Sequence, residues 1–281
     1  MKILCIGDNV ADCYLDQKKY YPGGNAVNVA VKTKRFGFDH VAYLGIFGND
    51  KKAEHIKNSL TAEGVSFQRS RTMIGRSGAP LVTLIDGDRV FVKSRQDTAQ
   101  HLVRLNLVKA DLNYMEKFDL IHSSCFSHTE ELLPQFKKRA LVSFDFSNKR
   151  RNDEYLNKVC PHLDFAFFSG ADLSAGQRDE VADKCHQLGC PLVIITRGLK
   201  GSYFSLEGQR HQQDIVSVKA IDTLGAGDAF IAGFLTAYLL YKYDLSTAAK
   251  FAAEKGAEAC TYHGGWGYPH DFDGDEEEDE S

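Results

Sequence analysis

No run of apolar residues in this 281-residue chain approaches the roughly 20 needed to cross a bilayer, which leaves no candidate membrane-spanning helix. The opening segment MKILCIG is too short and too strand-like for a signal peptide. No Cys-X-X-Cys pair occurs. The seven cysteines (Cys5, Cys13, Cys125, Cys160, Cys185, Cys190 and Cys260) are scattered and sit mostly in apolar settings. That pattern excludes a zinc ribbon and a disulfide framework and reads as a reduced, cytoplasmic protein. There is no GxxxxGK[ST] loop and no His-Arg-Asp or Asp-Phe-Gly set, so neither the P-loop nor the protein-kinase route to nucleotide chemistry is written here. The basic runs, Lys18-Lys19 and Lys149-Arg150-Arg151, are short and lack interleaved aromatics, which argues against nucleic-acid binding. No internal repeat or low-complexity linker precedes the acidic end.

What is present is a globular composition, 43% apolar and 26% charged, long enough for one α/β domain with a large core. The net charge of −4 misleads. Residues 271–281, DFDGDEEEDES, hold eight acids and no base, so the preceding body carries 34 bases against 30 acids. So dense a run of one sign is expected to stay solvated and disordered, and it does not have the glycine placement of a calcium loop. The folded domain is therefore expected over 1–270.

Strand-like runs at 2–7, 40–45, 119–123, 140–146, 164–168 and 192–196 alternate with helical segments at 25–36, 51–63, 130–139, 154–159 and 175–188. Alternation of this kind predicts βαβ units and a mainly parallel sheet covered on both faces. Ligands of such sheets bind beyond the carboxyl ends of the strands, where Gly7-Asp8-Asn9 and Thr196-Arg197-Gly198 fall. Two stretches, about 13–22 and 65–95, read as β-structure without intervening helices. The second contains a hairpin turning at Asp86-Gly87. Together they suggest either a small discontinuous β-sheet lid over the carboxyl-end face or an extension of the sheet edge.

The most informative stretch is Asp222-Thr223-Leu224-Gly225-Ala226-Gly227-Asp228, set before a long apolar run at 230–240 that reads as a buried helix. A helix start carries unpartnered N–H groups and positive partial charge, and glycines let the backbone approach a ligand. An ionised Asp228 beside such an anion cradle suits phosphoryl transfer, although Asp and Gly also occur at helix starts for capping alone. A second motif, Gly23-Gly24-Asn25-Ala26-Val27-Asn28, places two amides three residues apart on one helix face, with Asn28 able to bind hydroxyls through donor and acceptor together. His122 and His128 flank a strand end facing the same side, and His263-Gly264-Gly265-Trp266 follows the last helix, read at 247–261.

With these motifs the sequence resembles the ribokinase/PfkB carbohydrate kinases over about residues 1–266: GGNAVNVA at 23–30 looks like that family's amino-terminal signature and DTLGAGDAF at 222–230 like its carboxyl-terminal one. GDNVADCY at 7–14, FDFSNK at 144–149 and YHGGWG at 262–267 are similar to the fructoselysine 6-kinase subgroup. The resemblance implies a ribokinase-like three-layer α/β/α sandwich with a β-lid, and ATP with Mg²⁺ as cofactors, K⁺ being a further candidate. Asp228 then matches a catalytic base, and Gly225, Ala226 and Gly227 an anion hole. Asp12, Gly24 and Asn28 match sugar-binding positions, with Asp8, Asn9 and Gly23 beside them. Thr196, Gly198 and Gly201 match the nucleotide strand and loop, and His263 lies in a loop that could close over it. Asp222 and Thr223 match a monovalent-cation site built mainly of backbone carbonyls. Where many members carry Asn-X-X-Glu for Mg²⁺, this chain has Ser169-Gly170-Ala171-Asp172, so Asp172 takes the Glu position with shorter reach. The implied activity is phosphorylation of a sugar primary hydroxyl, O6 of fructoselysine first. A kinase for fructose, ribose, glucoselysine or a nucleoside, and a sugar sensor without catalysis, are the alternatives. An exposed lid edge also suggests a homodimer.

Overall fold

The computed structural model describes residues 1–85 and 88–272. Its strands are β1 (Lys2–Gly7), β2 (Val10–Tyr14), β3 (Lys19–Gly23), β4 (His40–Phe47), β5 (Arg71–Thr72), β6 (Leu81–Ile85), β7 (Asp88–Lys93), β8 (Leu120–Ser124), β9 (Leu141–Asp145), β10 (Phe165–Ser169), β11 (Leu192–Thr196), β12 (Ser202–Leu206), β13 (Gln209–Gln213) and β14 (His270–Asp271). The helices are α1 (Asn25–Arg35), α2 (Lys51–Ala62), α3 (Ala99–Leu102), α4 (Lys109–Met115), α5 (Leu133–Lys137), α6 (Asp153–Val159), α7 (Ala175–Gln187), α8 (Ala226–Leu235) and α9 (Leu245–Ala259).

Nine strands form one sheet in the order β13-β12-β11-β10-β9-β8-β1-β4-β5. It is parallel from β11 to β5, and β12 and β13 add an antiparallel hairpin. Parallel strands covered on both faces are apolar throughout, and β1 shows why. Ile3 and Cys5 join the core under α1, α2, α8 and α9, while Leu4 and Ile6 join the core under α5, α6 and α7. The result is the three-layer α/β/α sandwich.

A second sheet, β14-β3-β2-β6-β7, stands over the carboxyl-end side. Of the stretch from 65 onward, Arg71–Thr72 pairs with β4 in the main sheet, and only β6 and β7 enter the smaller one. The turn at Asp86-Gly87 lies outside the described residues. At the other end, Asp271 does not belong to a solvated tail. It pairs with β3 and meets Lys19 at 2.8 Å, and Phe272 is buried behind it. The fold thus runs two residues past the expected boundary, because a buried Phe and a strand pairing outweigh the solvation of one Asp. The acidic run beyond Phe272 lies outside the described residues.

Two local readings also change. The segment read as one helix over 130–139 is a 3-10 turn followed by α5, with Pro134 in the first turn of α5, where a missing N–H costs nothing. The apolar helix expected to run on to 240 ends as α8 at Leu235 and continues as a wider π turn, Thr236–Leu240. There the Thr236 hydroxyl donates to the Ala232 carbonyl at 2.7 Å.

Candidate active site

Helices α1 and α8 start side by side at the carboxyl ends of β1, β8 and β9, each entered through a glycine with positive φ: Gly24 at 101° and Gly225 at 74°. Both positions refuse a side chain. A Cβ on Gly24 would lie 2.9 Å from the Asn9 Cα, and one on Gly225 would lie 2.9 Å from the Gly265 Cα. These close approaches fix where the two helices begin relative to the strand ends.

Asp228, in the first turn of α8, is held from α1. Its Oδ1 accepts from Asn25 Nδ2 at 2.8 Å and its Oδ2 from Asn28 Nδ2 at 2.7 Å. Asn25 Nδ2 also donates to Asp145 Oδ2 at 2.9 Å, at the end of β9, so one amide bridges two carboxylates. That fixes the amide orientation, since only the nitrogen side can serve both acids. The Asn25 carbonyl oxygen therefore faces His122 Nε2 at 3.0 Å and accepts from it. His122 Nδ1 then accepts from the Ser143 hydroxyl at 3.0 Å. Burial pushes His122 down to about 3, so it is a neutral ring locked in one tautomer. Asp145 is pushed up to about 7, by burial first and then by the negative charges of Asp228 and Asp8, although its outer edge reaches solvent at the site. The chain Ser143–His122–Asn25 thus orients the amide that orients Asp228.

Asn28 is equally committed: its carbonyl oxygen accepts from the Trp266 indole at 2.9 Å, and Trp266 is buried. Gly265 packs against this amide, which seats the loop after α9 on both α1 and the Gly225 turn. No side chain caps the start of α8, where the Ala226 amide turns back to the Thr223 carbonyl at 3.3 Å, so the first turn through Gly227 is a positive end carrying Asp228. A carboxylate held beside an uncapped helix start can take a hydroxyl proton while the amides hold an anion.

Comparison with known proteins gives the family. The profile of the pfkB family carbohydrate kinases matches residues 2–268. The chain belongs to that family. The kinase is 45% identical over 273 residues to the fructosamine kinase FrlD of Bacillus subtilis (strain 168), covering 96% of this chain and 95% of the relative. It is 35% identical over 272 residues to the fructoselysine 6-kinase of Escherichia coli (strain K12), covering 95% and 100% respectively. The crystal structure of a fructokinase with bound ATP from Xylella fastidiosa superposes with a TM-score of 0.79 over 94% of each chain at 22% identity, a likeness of fold. As a family member the kinase is an ATP-dependent sugar phosphotransferase.

Other residues singled out from the sequence fall in different places. The Asp8 carboxylate accepts from the Asn25 and Ala26 amides at 2.7 and 3.3 Å and from the Ser127 and Ser124 hydroxyls at 2.9 and 3.3 Å, so it holds the start of α1. Asn9 is turned into the protein, donating to the Tyr43 hydroxyl at 2.9 Å and the Ile46 carbonyl at 2.8 Å. Asp12, on β2, lies against Gly23 of β3 within the lid sheet itself. The kinase carries Thr196, Gly198 and Gly201 at the end of β11 and in the turn to β12. This is two strands beyond β9, or roughly 10 Å along the sheet. Asp172 is engaged by Arg151, which donates to both its oxygens at 3.1 and 2.7 Å and holds its pKa low. Asp222 is buried and accepts from the Tyr14 hydroxyl at 2.5 Å, the Leu224 amide at 2.9 Å and the Gly264 amide at 2.9 Å, tying β2 of the lid to the Thr223–Gly225 turn. His263 is exposed and meets Gln17 of the lid at 3.0 Å.

Sequence reasoning gave no site role of their own to Asp145, to Trp266 in the His263–Trp266 loop or to the serines on Asp8. For Asp145 a signal existed: it is a carboxylate closing a strand of a parallel sheet, where ligands gather. Nothing local announces Trp266 or the serines, which matter only through contacts made in three dimensions.

Proposed function

We propose that this kinase transfers the γ-phosphoryl group of ATP to the 6-hydroxyl of a fructosamine, with fructoselysine the first substrate to test. The observation that carries the reading is Asp228 held by two amides beside an uncapped helix start. The two curated relatives at 45% and 35% identity support the acceptor class.

In this mechanism Asp228 accepts the proton of the attacking hydroxyl as its oxygen bonds to phosphorus and the bond to the ADP oxygen breaks. Asn25 and Asn28 keep the carboxylate aimed, which removes reorientation from the barrier. The amides at Gly225, Ala226 and Gly227 steady charge on the transferring group. Gly24 and Asn28, with Asp12 and Gly23 of the lid, form the wall for the sugar. Asp8 and Asn9 shape that wall from behind. Thr196, Gly198 and Gly201 support the nucleotide.

Among the described residues no cluster of three or more His, Cys, Asp or Glu forms a metal cage. Mg²⁺ is commonly held by substrate phosphates, water and one or two carboxylates. When bound, Mg²⁺ would neutralise phosphate charge; Asp145 opens onto the site and is the better-placed carboxylate, Asp172 being taken by Arg151. A monovalent cation such as K⁺ beside Thr223 would rely on backbone carbonyls, since Asp222 spends its carboxylate on three donors. We place the enzyme in the cytoplasm, where ATP is available. We also propose a homodimer through the lid, supported by edge strand β7, where Val90, Phe91 and Val92 are 39%, 53% and 56% exposed.

The test is ATP consumption with Mg²⁺ against fructoselysine, glucoselysine, fructose, ribose and adenosine. Turnover on fructoselysine well above fructose supports the assignment; turnover confined to fructose, ribose or adenosine overturns the acceptor while keeping the kinase. Sedimentation of the intact chain tests the dimer.

A further inference from the structure

A second opening adjoins the sugar wall on the side away from α8. Asp8, Gln100, Arg104, Ser127 and His128 supply its polar lining, among apolar side chains such as Val103 and Phe126. The proposed transfer chemistry uses none of Gln100, Arg104 and His128. We infer that this opening is a carboxylate subsite, in which Arg104 recognises the free carboxylate of the amino-acid part of a fructosamine substrate. The inference rests on the fructosamine reading and narrows it to adducts of amino acids rather than of simple amines.

The argument begins with charge. Arg104 is exposed and, among the described residues, forms no ion pair; its one hydrogen bond is a long 3.5 Å contact from Nη1 to the Gln100 carbonyl. A guanidinium offers five donors in a planar fork that fits a carboxylate, so most of its capacity is unspent. His101 and His128 stand beside it with ring centroids 6.2 Å apart. Both are held below the usual histidine range, by burial first and then by the Arg104 charge, so at neutral pH they offer polar ring atoms without adding charge. The acidic groups near them are Asp97, toward His101, and Glu130, toward His128. Asp97 is paired with Arg95 at 2.6 Å and Glu130 accepts from the Tyr155 hydroxyl at 2.7 Å.

The backbone prepares the same place. His128 sits at a positive φ of 52°, unusual for a non-glycine residue, which holds its ring at the mouth of the opening. Gln100 is anchored by accepting from the Asn9 amide at 3.3 Å, so α3 is tied to the strand end that shapes the sugar wall. Among the described residues the opening thus offers one uncommitted charge, the Arg104 guanidinium, since Asp8 in its lining is spent on the start of α1. A fructosyl amino acid carries the complementary group, a carboxylate held out beyond the sugar by the amino-acid part. A sugar or a simple alkylamine adduct carries no group for Arg104.

The test compares kcat/KM for three acceptors, fructosylglycine, fructoselysine and fructosyl-butylamine, on the wild type, Arg104→Ala and Arg104→Lys, with melting temperature as the folding control. Wild type should favour the carboxylate-bearing acceptors. Arg104→Ala should lower kcat/KM for the preferred one by about 10-fold or more, chiefly through KM, as for loss of a charge-assisted contact. Fructosyl-butylamine should stay within about twofold, and Arg104→Lys should recover part of the loss. The two carboxylate acceptors report whether the subsite reads an α-linked or an ε-linked amino acid. Equal wild-type turnover of all three acceptors, or an equal loss on all three in Arg104→Ala, overturns the subsite while leaving the fructosamine kinase standing. No turnover of any of them by the wild type removes both.

Discussion

Two helix starts lie side by side in this kinase, both entered through a positive-φ glycine, and they are put to opposite uses. At the start of α1 the protein supplies its own anion: the Asp8 carboxylate accepts from the Asn25 and Ala26 amides and is itself steadied by two serines. At the start of α8 no side chain caps the amides, and the nearby carboxylate, Asp228, is pulled sideways onto the amides of Asn25 and Asn28. The same dipole and the same orphan donors therefore give a rigid support in one case and a receptive surface in the other. A glycine-entered helix is a candidate anion site only when the rest of the fold withholds its cap.

The comparison breaks most completely at Asp228. Asp228→Asn removes the base and turns one of its two acceptors into a donor facing Asn25 or Asn28, so kcat should fall at least ~10²-fold, with a modest drop in melting temperature from the lost hydrogen bond. Near-normal turnover would falsify the assignment. Next in size is Gly225→Ala, which puts a Cβ against the Gly265 backbone and an alanine at φ 74°. Backbone of that kind costs about 1–2 kcal/mol before the overlap is counted, and displacing the α8 amides should lower kcat by about 10²-fold. Retention of both stability and rate would show that the turn is soft and the anion hole is not built there.

Asp8→Asn addresses the filled helix start. Loss of a charged cap should cost about 1–3 kcal/mol, read as a drop of several degrees in melting temperature, with a smaller effect on kcat than at Asp228. If KM for the sugar rises sharply while stability holds, Asp8 contacts substrate and the contrast between the two helices fails. The smallest effect belongs to Asp145. Its folded pKa, about 7, lies above the usual carboxylate value, so the folded state binds the extra proton and its stabilisation is lost as pH rises from about 4 through 7. Asp145→Asn, whose single oxygen can serve Asn25 or the Ser147 amide but not both, starts less stable yet should gain in melting temperature relative to wild type between pH 5 and pH 8, by about 2–4 °C. A parallel pair of pH profiles would show that Asp145 titrates normally.

Much of the architecture was legible because its signals are local. The apolar runs of β1, β4 and β8–β11 and the helices between them imply a parallel sheet without knowledge of partners. The β12–β13 hairpin was not legible. Gln209–Gln213 has neither apolar alternation nor branched residues, and it is a strand because Glu207 and Gly208, at positive φ, turn the chain back onto β12. Of the site, Asn25 and Asn28 could be seen to share a face, and both do reach Asp228. His122 faces the same site, but as a buried neutral wedge behind Asn25, and Arg104 beside His128 lies just past the short helix α3, which no periodicity announced.

The sequence alone thus determined the family, the two glycine-entered helices and the acid in the first turn of α8, since each depends on residues adjacent in the chain. Only the tertiary structure decided which polar groups meet. Asn25 and Asp228 are 203 residues apart, and Asn25 and Asp145 are 120 apart. Whether a carboxylate becomes a base, a cap or a clamp rests on which donors the packed strands bring to it, a property that no local stretch of sequence contains.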